Sequence, residues 1–203
     1  MKKELALFDL DGTIIEGDSM IAFIRYARGA GWLFLSYLVL SPILLLYRFG
    51  LYPNDKAKQL LLSFHFKGKK EKRLKGLGAI FGQEILHSMR RRGAMRRLRY
   101  HRDQGHDVVV ITASLNIWVE PWLKNQGLRY ICTEPEWANG VFTGKFATPN
   151  CYGPEKVRRL REILDPADYD VIHAYGDSKG DREMLALANE SHFRPFLNPS
   201  AEF

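Results

Sequence analysis

Cysteine is scarce in this chain: two in 203 residues, Cys132 and Cys151. At most one disulfide can form, and a reduced cytosolic thiol pair is the better expectation. Repeats and low-complexity tracts are missing, and Gly and Pro are concentrated nowhere. Solenoid arrays and long flexible linkers are thereby excluded. A secretory signal is missing too. Met1-Lys2-Lys3 is basic, but Asp9 and Asp11 break the apolar run that follows. The expected compartment is the cytoplasm. Acidic residues are rare in one stretch only. Residues 17–93 hold 14 Lys and Arg against 4 Asp and Glu, whereas the remainder holds 16 against 19. The length allows one core, or one core with a small accessory domain.

What is there is concentrated at strand ends. Leu7-Phe8-Asp9-Leu10-Asp11-Gly12-Thr13 closes an apolar run with two carboxylates two residues apart. On a strand, i and i+2 share a face, so both can point into one site. Such neighbours repel unless a cation or a specific chemistry holds them. Asp and Gly also serve ordinary turns. A second run, Val171 to Tyr175, ends in Gly176-Asp177, with Asp181 four residues on. Between these, Val108-Val109-Val110-Ile111 ends in Thr112-Ala113-Ser114, and Pro154-Glu155-Lys156-Val157 opens a helical pattern.

The strands expected are 5–10, 108–112, 128–133, 141–146 and 171–175, with a hairpin turn at Asn139-Gly140. Helical patterns cover 94–104, 117–125, 155–164 and 181–188. Alternation of this kind implies a parallel sheet covered on both faces, with ligands bound beyond its carboxyl edge. Residues 17–93 interrupt it with all-helical patterns at 19–28, 30–49, 54–65 and 69–91.

Carboxylate pair, hydroxyl, lysine and carboxylate pair, in that order, resemble the four motifs of the haloacid dehalogenase superfamily. The stretches "GHDVVVITAS", "EWANGVFTGKFATPNCYGPEKVRRL" and "YGDSKGDREML" resemble its phosphoserine-phosphatase-like branch, subfamily IB. The resemblance implies a Rossmann-like three-layer α/β/α core over residues 1–16 and 94–203, with 17–93 as an inserted helical cap. It implies a phosphatase with Asp9 as nucleophile and Asp11 as general acid and base. Thr112 and Ala113 would bind phosphate with Lys156. Asp9, the backbone carbonyl of Asp11, and Asp177 would hold Mg2+, with Asp181 helping indirectly. Asp18 is a substrate-contact candidate, or equally a helix N-cap. Gly180 departs from the branch, whose phosphoserine phosphatases usually carry Asn there.

The inserted segment has its own signal. Residues 29–47 contain no charge, a length that qualifies as a membrane span. Asp9 and Thr112 must meet on one side, so a shallow interfacial element, bent or folded at Pro42, is the expectation. Two basic runs, six of nine residues at 67–75 and six of ten at 90–99, fit attraction to anionic lipid, or equally a buried cap helix pair with solvated basic faces. This layout resembles the membrane-associated phosphatidylglycerophosphatase C group and implies a lipid phosphate substrate at the inner face of the cell membrane. The alternatives are a small soluble ester of the phosphoserine or histidinol phosphate type, a phosphotransferase, and a non-catalytic adaptor. No groove-reading or base-stacking motif points to nucleic acid. The six histidines show no ligand spacing and read as structural or surface residues.

Overall fold

The computed structural model describes residues 3–197, so Met1 and Lys2 of the N-terminal reading lie outside the described residues. Strand β1 (Glu4–Phe8) leads into four helices: α1 (Ser19–Arg28), α2 (Ala30–Arg48), α3 (Asn54–Phe66) and α4 (Glu71–Phe81). A π turn at Gly82–Leu86 and α5 (Arg92–Asp103) bring the chain back to β2 (Asp107–Leu115). Then follow α6 (Asn116–Asn125), β3 (Arg129–Thr133) and a hairpin of β4 (Pro135–Ala138) and β5 (Val141–Phe146). The chain closes with α7 (Pro154–Leu160), β6 (Val171–Gly176), α8 (Arg182–Ala186) and β7 (Glu190–Phe193).

Five strands pair in parallel in the order β3-β2-β1-β6-β7. The β1 residues alternate between two cores, as a pleated strand buried on both faces requires. Leu5 and Leu7 pack with Val109, Ile111 and Ile172 beneath Leu160 of α7 and Met184 of α8. Ala6 and Phe8 pack with Val110, α5 and α6 on the opposite face. This is the expected Rossmann-like α/β/α architecture with inserted helices.

The inserted helices share the second core. Phe23 of α1 stacks on Trp118 of α6 at 4.9 Å and meets Phe66 and Phe81. Each such fully buried side chain contributes about 1.5–3 kcal/mol. Backbone bonds tie the insertion to the hairpin: Gly68 N–H donates to Phe142 O at 2.8 Å, and Phe142 N–H to Lys69 O at 2.9 Å.

Several expectations need correction. Pro42 neither folds nor breaks α2, which runs as one helix from Ala30 to Arg48. Proline leaves the carbonyl four residues back without its N–H donor. Here the Ser41 hydroxyl donates to that carbonyl, Leu38 O, at 2.8 Å. The helix expected at 155–164 stops at Leu160, and that expected at 181–188 runs only from Arg182 to Ala186, after a 3-10 turn at Lys179–Asp181. Edge strand β7 and hairpin strand β4 were not expected. Both are short, with little apolar alternation to mark them.

Candidate active site

The carboxyl ends of β1, β2 and β6 meet the first turn of α7. The Asp9 N–H donates to Tyr175 O at 2.9 Å, which keeps β1 and β6 paired up to the carboxyl edge. Asp9 is nearly buried. Lys156, fully buried in α7, donates through Nζ to Asp9 Oδ1 and Asp181 Oδ1, both at 2.6 Å, and to Ile111 O at 2.8 Å. Asp181 spends its other oxygen on the N–H groups of Asp177 (3.1 Å) and Ser178 (3.0 Å) and on the Ser178 hydroxyl (3.0 Å). Gly12 has φ +80°, and a Cβ there would stand 2.2 Å from Asp177 Oδ2. Only glycine lets the Asp177 carboxylate lie against that turn.

One oxygen each from Asp9, Asp177 and Asp181 lies within 4.8 Å of the others. Three carboxylates face a single lysine, and proton affinities record the imbalance. Burial, with Asp181 and Asp11 adding to it against Lys156, pushes Asp9 up to about 8. Burial and Asp181 raise Asp177. Asp181 is held low by Lys156 and its hydrogen bonds, although burial opposes this. Lys156 stays charged because both carboxylates outweigh its burial. A hard divalent cation that prefers oxygen would relieve the surplus charge, so the donor set fits the expected metal class.

Asp11 stands apart from that trio. Its Oδ1 accepts from Ser19 N–H at 2.6 Å and its Oδ2 from the Ser114 hydroxyl at 2.5 Å. The two serine hydroxyls lie 2.8 Å apart, and Trp118 Nε1 donates to Ser19 Oγ at 3.0 Å. Burial and then Asp18 raise the proton affinity of Asp11, while both serines oppose them. Asp18 caps α1, accepting from Met20 N–H at 2.8 Å, and also faces the cavity.

That cavity, of about 630 Å³, is lined by Asp9, Asp11, Ala113, Lys156, Asp177 and Asp181 among others. Thr112 lies behind its wall, fully buried, with its hydroxyl accepting from Ser114 N–H at 3.1 Å. The sequence reading missed Ser19 as a partner of Asp11, and missed Ser114 although it lies beside Thr112. It also missed Tyr47, Lys58, Arg91, Tyr152 and Arg194, which line the cavity. Arg194 comes from beyond β7 and donates through Nε to Asp177 O at 3.0 Å. No local pattern marks it.

A parallel sheet with acid-lysine chemistry at its carboxyl edge, beneath inserted helices, defines a hydrolase that acts through aspartate. The chain belongs to the haloacid dehalogenase-like hydrolase family, whose model matches residues 6–186. Protein CicA of Caulobacter vibrioides (strain NA1000 / CB15N) is 33% identical over 97% of this chain and 88% of its own length. A crystal structure of a Bordetella pertussis Tohama I protein of unknown function superimposes with TM-score 0.79 at 22% identity, covering 93% of this chain and 88% of that one. A substrate-bound phosphoserine phosphatase structure superimposes with TM-score 0.68 at 19% identity, covering 93% and 84%.

Proposed function

We propose that the protein is a Mg2+-dependent phosphatase that hydrolyses a phosphate monoester through an aspartyl-phosphate on Asp9. The observation that carries this reading is buried Lys156 clamped at 2.6 Å between Asp9 and Asp181, with Asp177 alongside. A carboxylate oxygen of Asp9 attacks phosphorus and the ester P–O bond breaks. The leaving alkoxide takes the proton of Asp11, whose raised proton affinity suits an acid. Asp11 then accepts a proton from water, and the resulting hydroxide attacks the phosphorus, releasing phosphate and regenerating Asp9. Mg2+ held by Asp9, the Asp11 carbonyl and Asp177 would offset charge on the phosphate oxygens. Lys156 keeps Asp9 oriented and offsets its charge. The Thr112 hydroxyl accepts from Ser114 N–H and keeps its own proton for a phosphate oxygen, while Ala113 lies on the cavity wall. Residues 17–93 serve as the cap over a core of 1–16 and 94–203.

For substrate, likeness to phosphoserine phosphatase structures supports a small soluble ester of the phosphoserine or histidinol phosphate type, in the cytoplasm. The pocket wall is its own, however. A Cβ at Gly180 would stand 2.4 Å from the Tyr152 ring, so Tyr152 fills the space an Asn would need. Asp18 would meet the substrate's organic group. A lipid phosphate such as phosphatidylglycerophosphate is a second reading, favoured by α2. That helix is long and apolar enough to cross a membrane, yet buries only Leu33, Ser36 and Leu40. Phe34, Leu38, Val39 and Leu45 face outward, and Tyr47 at its end lines the catalytic cavity. An interfacial helix with Arg28 over Trp32 near its start and Arg48 in its last turn, in a basic inserted segment, would hold the enzyme on the inner face of the membrane.

A panel of phosphate esters with and without Mg2+ tests both readings. It includes phosphoserine, histidinol phosphate and phosphatidylglycerophosphate in anionic vesicles. Turnover of a soluble ester with no vesicle binding at low salt selects the first reading. Turnover of the lipid with co-sedimentation selects the second. Turnover of none with Mg2+ present contradicts both.

A further inference from the structure

The catalytic chemistry leaves a second cluster of titratable side chains unused. It lies toward the amino ends of the strands, between α5 and the sheet. His101 comes from α5, His106 from the turn before β2, and His173 from β6. His101 and His173 are buried and His106 nearly so. One ring nitrogen from each lies within 4.8 Å of the others. His101 Nδ1 and His106 Nδ1 are 2.9 Å apart. Glu4 Oε2 of β1 lies 2.9 Å from His173 Nε2 and 3.5 Å from His106 Nε2.

We propose that His101, His106 and His173, with Glu4, form a second metal site that takes a transition-metal ion of the zinc class. Three imidazoles and one carboxylate are a zinc-type donor set, and imidazole nitrogen is a poor ligand for Mg2+. The two clusters therefore sort their ions by chemistry. Outer contacts of the kind that orient metal-bound imidazoles are in place. Tyr175 OH lies 2.9 Å from His101 Nε2, and Glu190 Oε2 approaches His173 Nδ1 to 3.1 Å without hydrogen-bond geometry. Partly exposed Glu4 and His106 give the ion an entrance. The bound ion would tie α5, β1 and β6 together beneath the catalytic end. Tyr175 links the two sites: its ring stacks on Phe8 at 4.4 Å, and its carbonyl holds the Asp9 N–H.

The test uses the full chain carrying Asp9→Asn and Asp177→Asn, which weaken the carboxylate cluster. Protein stripped with chelator is loaded with ZnCl2, desalted and assayed for metal, and in parallel loaded with Co2+ for visible absorption. The proposal expects one retained zinc per chain and intense tetrahedral cobalt bands. Both should be lost on His106→Gln and on His173→Gln, with circular dichroism unchanged. Should His173→Gln unfold, His106→Gln at the cluster's edge decides alone. A chain that retains no zinc, or retains it undiminished in a folded His106→Gln variant, overturns the site.

Discussion

His65 shows how a single buried ring sets a pH limit. It lies in α3, almost fully covered, and neither ring nitrogen has a hydrogen-bond partner among the described residues. Burial and then the nearby Arg28 push its pKa down to about 4 from the ordinary 6.5. Below 6.5 the unfolded chain takes up a proton that the folded ring refuses. The contribution of His65 to stability is therefore complete above about 6.5 and declines as pH falls toward 4. Urea midpoints also shift with the raised carboxyls of Asp9, Asp11 and Asp177, so the His65 part is read as the difference between the native protein and His65→Leu, constant above about 6.5 and changing through that window. His65→Leu should reduce the fall toward acid pH without abolishing it, because burial also lowers His101 and His192. An unchanged pH slope in His65→Leu would show that the ring is not held neutral.

Close approach between helices matters as much as pattern. At Gly78 of α4, a Cβ would stand 1.8 Å from the Ile117 carbonyl of α6. Alanine favours helix over glycine by about 1 kcal/mol, but here the obstacle is rigid backbone. Gly78→Ala should therefore destabilise the protein, by about 1–3 kcal/mol in urea titrations. A stabilised variant would mean that α4 and α6 do not pack this tightly. The sequence shows α4 as a helix but cannot show this contact, because its partner lies far along the chain. Pro42 is a similar case. A helix-breaker in isolation, it is accommodated because Ser41 supplies a donor to Leu38 O.

Across the molecule, legibility in the sequence followed locality. Asp9, Asp11, Lys156, Asp177 and Asp181 each sit at a strand end or first helical turn that a short segment betrays. The family's ordered motifs then link those segments. Ser19 and Ser114 became meaningful only when folding brought both to Asp11. Arg194 and the His101–His106–His173 cluster are assembled from elements with no common spacing, so no linear reading marks them. The exposed face of α2 was visible as an uncharged run, but whether it was covered depended on the packing.

The central claim is that Asp9 carries the phosphoryl group. The most direct measurement is acid quench of the enzyme during turnover of p-nitrophenyl phosphate with Mg2+, followed by peptide mass spectrometry. The account predicts a phosphoryl adduct on Asp9, absent from an inactive, folded Asp9→Asn variant. Turnover undiminished in Asp9→Asn, or an adduct found on another residue, would contradict it.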